Sequence, residues 1–393
     1  MNALATVLIC VTVMYLFGEV LRHLRIPRVV SHITAGIILG LPQVRPIVFS
    51  AESGWLVQFF ADVGVILLLF FVGLQIDLHK FRDALPTSLW ISVCNTLFPL
   101  VTGFLVTHYV FGLARYAALI VGICLSVSAT ALAFDLLAEL GKLRTRLATF
   151  IVSAGTFDDI VEMFLVAGVF TVLETTVKRI GVFELAVNVF IFAAVIFAFR
   201  FWLIPVILKR IEGQPEHAQL FTGALIITLL MAILAEYLGI SAMIGALFSG
   251  VMMRQVLLNP GHKPWERMEI THSIHTLAFG LFVPFFFLMI GLQTDVLAIG
   301  ENLWFGAAIT AIAILGTVLG SAVGYYVTHK NWTEGLVIGW AMNAKGDTEL
   351  VIAQLALSVG AISQEVFSSL IFMAVVSTLI SPLVLKRLVV KYV

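Results

Sequence analysis

The sequence predicts an all-α polytopic membrane protein with about thirteen transmembrane helices. Three observations carry that prediction. Of its 393 residues, 61% are hydrophobic and only 12% are charged, against roughly 25% charged in an ordinary soluble domain. Such a chain cannot cover a water-facing surface with polar groups. Apolar stretches of 18 or more residues recur from end to end, each long enough to cross a hydrocarbon core of ~30 Å. They do not alternate polar and apolar residues, as barrel strands would over ~10 residues.

In chain order the expected spans are 3–21, 29–48, 55–76, 86–107, 113–134, 147–170, 182–207, 218–235, 239–257, 275–293, 302–327, 333–358 and 364–385. The 29–48 and 239–257 stretches are short and rich in glycine. The first stretch has no basic leader and no small-residue cleavage site, so it is expected to be a retained helix. The longest expected loop runs from about Leu258 to Ser273. The basic residues order the spans. Seventeen Lys and Arg follow odd-numbered spans, and four (Arg45, Arg115, Lys178, Arg179) follow even-numbered ones. That asymmetry predicts an external N-terminus, a cytoplasmic C-terminus and residence in a cell inner or plasma membrane.

The same counts exclude other classes. Lys plus Arg equals Asp plus Glu at 23 each, with no basic stripe for nucleic acid. Cys10, Cys94 and Cys124 lie in apolar runs without metal or disulfide spacing and are expected to pack as small hydrophobes. No phosphate-binding loop or dinucleotide fingerprint occurs. Neither a cofactor nor nucleotide-driven pumping is expected of this chain.

Two halves echo each other at an offset of 218 residues: Gly73-Leu74-Gln75-x-Asp77 against Gly291-Leu292-Gln293-x-Asp295. Glu19–Gly40 likewise resembles Glu236–Gly250, and Ser126–Thr130 falls on the polar run 344–348. The matched spans differ in parity, so the copies would be inverted in the membrane, as in secondary transporters. The predicted division is 1–28, an extra helix; 29–174, a first five-helix repeat; 175–217, a linker helix; 218–235, a further helix; and 236–393, the second repeat.

Ionisable groups inside spans are expensive and mark function. The 147–170 span carries Asp158 and Asp159, with Glu162 one turn on. Clustered carboxylates resist ionising together, and such a site can trade a proton for a hard cation, which oxygen ligands suit. Ion pairs that lock helices are the plainer alternative. Glu162 could bind a cation, pair with Lys345 or lie near the interface. In the 333–358 span, Asn343, Lys345, Asp347 and Glu349 fall within seven residues, and Gly346 is a candidate helix break. Its repeat partner holds Ser126, Ser128 and Thr130, whose hydroxyls would either complete a cation shell or bond within their own helix. Lys345 is expected to balance charge in this region. Glu19, Asn95, Asn188 and Glu236 are expected to satisfy local hydrogen bonds. His32, His79, His262, His272 and His275 are expected to be packed or interfacial.

These motifs resemble those of the monovalent cation:proton antiporter-2 family, in the branch of bacterial sodium/proton exchangers and the membrane domains of glutathione-gated potassium efflux systems. The resemblance rests on segments 32–40, 68–77, 126–131, 238–250, 286–295 and 344–353, together with Asp158-Asp159. It implies two crossed broken helices beside the carboxylates. Asp159 would be the principal proton carrier and monovalent cation ligand, and Asp158 a tuning or second proton site. Ser128 and Thr130 would stand at the crossing, and Lys345-Gly346-Asp347 would replace the usual Arg-Gly-Glu. It also implies Na+, K+ or Li+ exchange for H+ by an elevator-like alternation, in a homodimer, with room for a regulatory subunit. One departure stands out. Where electrogenic members carry a lysine in the eleventh helix, this chain has Thr317; either exchange is electroneutral, the favoured reading, or Lys345 or Glu162 takes the part of that lysine. A partner-gated potassium efflux protein, an intramembrane sensor and an aspartyl hydrolase are the rival functions.

Overall fold

The computed structural model describes residues 2–23, 26–75, 86–129, 133, 136–137, 142, 145–178, 182–204, 206, 217–257, 264–346 and 348–392. The described secondary structure is entirely helical. The longer helices are α1 (Ala3–His23), α2 (Arg28–Gly40), α3 (Ala51–Gln75), α4 (Pro86–Tyr109), α5 (Arg115–Ser126), α6 (Arg146–Lys178), α7 (Val182–Ala198), α8 (His217–Tyr237), α9 (Ala242–Leu257), α10 (Pro264–Leu277), α11 (Val283–Gln293), α12 (Leu303–His329), α13 (Trp332–Ala341), α14 (Thr348–Ser358) and α15 (Gln364–Tyr392), and short helical segments lie at Arg45–Val48 and Val296–Glu301. A π-helical turn, Ala278–Phe282, joins α10 to α11.

Among the described residues, six helical stretches are long and apolar enough to cross a membrane: Ala3–His23, Glu52–Gln75, Pro86–Tyr109, Thr271–Gln293, Leu303–His329 and Gln364–Tyr392. Several others fall short because they are interrupted. In the expected 113–134 span α5 ends at Ser126 and residues 127–129 are not helical, and the expected 333–358 span divides into α13 and α14. The 258–273 stretch also differs from expectation, because residues 264–273 belong to α10. Glu266, Arg267 and Glu269 lower its hydropathy, which hides a helix from any reading based on apolar length; Pro264 opens it, where a missing N–H costs nothing.

The chain forms two compact units. The first comprises Met1–Tyr15, Leu41–Leu78 and Ala167–Gly291; the second comprises Leu16–Gly40, His79–Val166 and Leu292–Val393. In the first unit α3 and α9 meet backbone to backbone. A methyl group at Gly73 would run into Leu247 O and Val251 N, and one at Gly250 into Phe70 O and Leu74 N. Small residues permit this approach, which replaces the missing hydrophobic driving force between helices in lipid. Phe60 adds edge contacts to Phe282 and Phe285, with ring centroids 5.5 and 5.1 Å apart.

The second unit repeats the device around α12. Gly316, Gly320 and Gly324 lie against Pro99, Cys94 and Trp90 of α4, while Gly335 and Gly339 of α13 lie against Ala322 and Val318. Four-residue spacing puts each set on one helix face. Lys330 ends α12 in the left-handed conformation, at φ 55°. Asn331 then caps α13 by accepting from Thr333 N and Glu334 N at 3.1 and 3.3 Å. Asp295, from the repeated Gly-Leu-Gln-x-Asp motif, is also a cap: it accepts from Leu297 N and Ala298 N at 2.9 and 3.1 Å. Its earlier counterpart, Asp77, lies outside the described residues.

Candidate functional site

The site belongs wholly to the second unit and begins with two interruptions in helical backbone. Residues 127–129 follow α5 without helical structure, and residues 342–346 separate α13 from α14. In hydrocarbon every exposed N–H and C=O needs a partner, so these interruptions define where polar side chains must gather. The two segments bond each other directly, Ala129 N donating to Ala344 O at 2.7 Å.

The α5 interruption is closed by charged side chains. Ser128 N donates to Glu162 Oε1 at 2.5 Å. Lys345 Nζ donates to Leu125 O at 2.9 Å and to Val127 O. The last carbonyls of a helix lack internal partners and carry partial negative charge, so the ammonium caps α5 in both respects. Lys345 is 0% exposed and Glu162 is 5% exposed. The α13–α14 interruption is closed instead by hydroxyls of α15. Thr378 Oγ1 accepts from Lys345 N at 3.2 Å and donates to Lys345 O. Asn343 Nδ2 donates to Ser381 Oγ at 2.9 Å.

Asp158, 0% exposed, sits beside the α5 interruption. Its Oδ2 accepts from Asn95 Nδ2 at 2.9 Å and from Ser128 Oγ. Its Oδ1 accepts from Thr96 Oγ1 at 3.0 Å and Ser92 Oγ at 3.3 Å. Asp159, the next residue, is partly buried. Glu349 is buried in the first turn of α14, where helix N–H groups favour a carboxylate.

The structure thus brings together Asp158, Ser128, Glu162, Lys345 and Thr317, the last being buried with its hydroxyl 3.4 Å from Lys345 Nζ. Asn343 stands in the second interruption and bonds away to α15. Thr130 and Asp347 lie outside the described residues. Glu162 serves Ser128 N, and Ser128 serves Asp158, so both take part in holding the interruption together. Sequence reasoning missed the α4 contribution, having given Asn95 only a local role. The available signal was the spacing of Ser92, Asn95 and Thr96, which places three polar side chains on one face of an apolar helix. Pro99, one turn later, cannot supply the N–H that would reach the Asn95 carbonyl, so α4 departs from regular bonding at this level.

Among the described residues there is no cluster of three or more His, Cys, Asp or Glu side chains arranged to hold a metal ion. Any cation here would meet carboxylate, hydroxyl and carbonyl oxygens, the donors suited to hard cations.

Comparison with known proteins agrees with this architecture. The sodium/hydrogen exchanger, transmembrane, family matches residues 7–391. A probable Na+/H+ antiporter, GerT of Bacillus cereus, is 30% identical over 384 residues, covering 98% of each chain. The Na+/H+-K+ antiporter GerN of Bacillus cereus is 29% identical, covering 94% of this chain and 92% of its own. The structure of the sodium proton antiporter MjNhaP1 from Methanocaldococcus jannaschii at pH 8 aligns with a TM-score of 0.67 at 15% identity, over 98% of this chain and 96% of that one. With the family matched over nearly its whole length and the fold shared with a solved antiporter, the chain belongs to the sodium/hydrogen exchanger family and is a multi-pass membrane secondary antiporter rather than an enzyme.

Proposed function

We propose that this antiporter exchanges Na+, with K+ or Li+ as alternative cargo, for H+, and that Asp159 is the carrier, either protonated or cation-bound whenever it moves. The observation that carries this reading is the direct bonding of two interrupted helices beside the Asp158-Asp159 pair. An empty, ionised Asp159 would carry uncompensated charge through a low-dielectric passage, so the loaded forms alone cross and coupling follows. The second unit, which holds both interruptions, is the moving part in this proposal, and the first unit is the scaffold. Asp158, Ser128, Thr130 and Glu162 shape the site, while Asn343, Lys345 and Asp347 set the electrostatics of the crossing. Thr317 stands without charge in the eleventh predicted span, which supports electroneutral exchange.

The inverted repeats at 29–174 and 236–393 supply one interruption each. The basic residues favour an external N-terminus and a cytoplasmic C-terminus. We propose a homodimer as the working assembly, with a regulatory subunit as an optional addition. Purified protein in vesicles should exchange Na+ or K+ for H+, and Asp159→Asn should abolish that exchange. Full activity in Asp159→Asn would sink the assignment. Cation flux without proton movement would favour the rival efflux pathway gated by a partner.

A further inference from the structure

Asp62 is the one ionisable residue between Ser53 and Gln75, inside a stretch of α3 long and apolar enough to cross a membrane. It is the twelfth of the 25 residues in that helix, about 16 Å from its start at ~1.5 Å per residue. It belongs to the first unit, whereas Asp159 and both interruptions belong to the second. A carboxyl group at such depth is costly in lipid and marks function by default.

Packing fixes the direction in which Asp62 points. Val57, Ala61, Gly64 and Val65 form the buried side of α3. A methyl group at Gly64 would run into Phe282 O, so the π-helical turn Ala278–Phe282 lies against the backbone at this level. Turning Asp62 inward would lift α3 off that turn. Glu52, Trp55, Phe59 and Asp62 are instead exposed, at helical spacings that set them in one stripe. The stripe leads from the beginning of α3 to Asp62. Further along, Leu67, Leu68, Leu69 and Phe70 are all buried.

The carboxyl group is also incompletely bonded. Gln58 Nε2 donates to Asp62 Oδ1 at 2.8 Å. Among the described residues no other donor and no ion pair reaches Asp62. A carboxylate offers about four acceptor positions, so most stay open. Hydrocarbon cannot fill them; water and hydrated cations can. A carboxylate bathed in water is ionised at neutral pH and draws cations toward it.

We infer that Asp62, held by Gln58, lines a water-filled approach that opens on the side where α3 begins, and collects monovalent cations there. The inference rests on the proposed antiport and adds to it an entry residue on the scaffold unit. Asp62 raises the local cation concentration and takes no part in the exchange at Asp159.

The test uses the full-length protein in sealed vesicles of known orientation, with Na+ supplied on the side where α3 begins. Asp62→Asn should raise the KM for Na+ about fivefold at low salt, the factor that one unit charge at contact is worth in water, and leave kcat unchanged. Choline chloride should shrink that difference by screening, and Asp62→Glu should keep the wild-type KM. A merely structural role would not give a salt-dependent KM at constant kcat. A wild-type KM in Asp62→Asn at low salt overturns the inference, as does loss of kcat in both variants. A second measurement needs no turnover. Asp62→Cys should react with a charged, membrane-impermeant methanethiosulfonate added on that side, above the background set by Cys10, Cys94 and Cys124 in the wild type. A thiol that resists the reagent, as one facing lipid would, or that joins two copies by a disulfide, overturns the inference. Wild-type Na+ flux without proton movement overturns the antiport reading alone, since the KM comparison can be made on that flux.

Discussion

The two interruptions in the second unit satisfy the same backbone requirement by different means. At residues 127–129 the partners are a buried ammonium and a buried carboxylate, Lys345 and Glu162, with Asp158 tied to the Ser128 hydroxyl. At residues 342–346 the partners are the neutral hydroxyls Thr378 and Ser381. The difference teaches that the crossing is electrostatically stiff on one side and only hydrogen-bonded on the other. Charge-assisted bonds are roughly twice as strong as neutral ones, and a buried charge left without its partner is far worse than a lost neutral bond.

Substitutions can break this contrast in graded steps. Lys345→Met should have the largest effect. It strips the donor from the Leu125 and Val127 carbonyls and leaves nearby carboxylates without a compensating cation. Loss of one partner from a buried charge network costs about 3–5 kcal/mol, so exchange should vanish and the melting temperature in detergent should fall sharply. A Lys345→Met protein that melts with the wild type would refute the stiff side of the comparison.

Glu162→Leu comes next. It orphans Ser128 N at a cost of about 1–3 kcal/mol, whereas Glu162→Gln keeps an acceptor there. Thermal unfolding should therefore order wild type, Gln and Leu from most to least stable. Equal stabilities for Gln and Leu would mean that the bond to Ser128 N contributes nothing.

The smallest effect is expected at Thr378→Val, which removes a neutral hydroxyl bonded to both Lys345 N and Lys345 O. A loss of about 1–2 kcal/mol should appear in stability while the cation dependence of exchange stays near wild type. If Thr378→Val abolished exchange as completely as Lys345→Met, the two interruptions would not differ in their electrostatic demand.

How far the site was legible depends on the kind of residue. Asp158, Glu162 and Lys345 announce themselves because ionised groups are costly in lipid wherever they point. Gly346 and the Ser126–Thr130 run mark the two interruptions, since unwound backbone in a membrane requires polar company. Ser92, Asn95 and Thr96 carry no such announcement. A hydroxyl in a membrane helix bonds its own backbone by default, as Thr102 and Thr107 do, and its turn toward a carboxylate on α6 is invisible along the chain. The same holds for Lys345, whose charge is plain but whose capping of α5, 220 residues away for Leu125, is a matter of packing.

Composition and charge order alone were enough to establish a helical membrane protein and to single out the few charges worth explaining, because burial in lipid penalises residue types directly. Which oxygen each donor serves was decided only when α4, α5, α6, α12, α14 and α15 packed together. Hydrogen bonds depend on direction over about 3 Å, and direction between distant segments exists only in the folded chain.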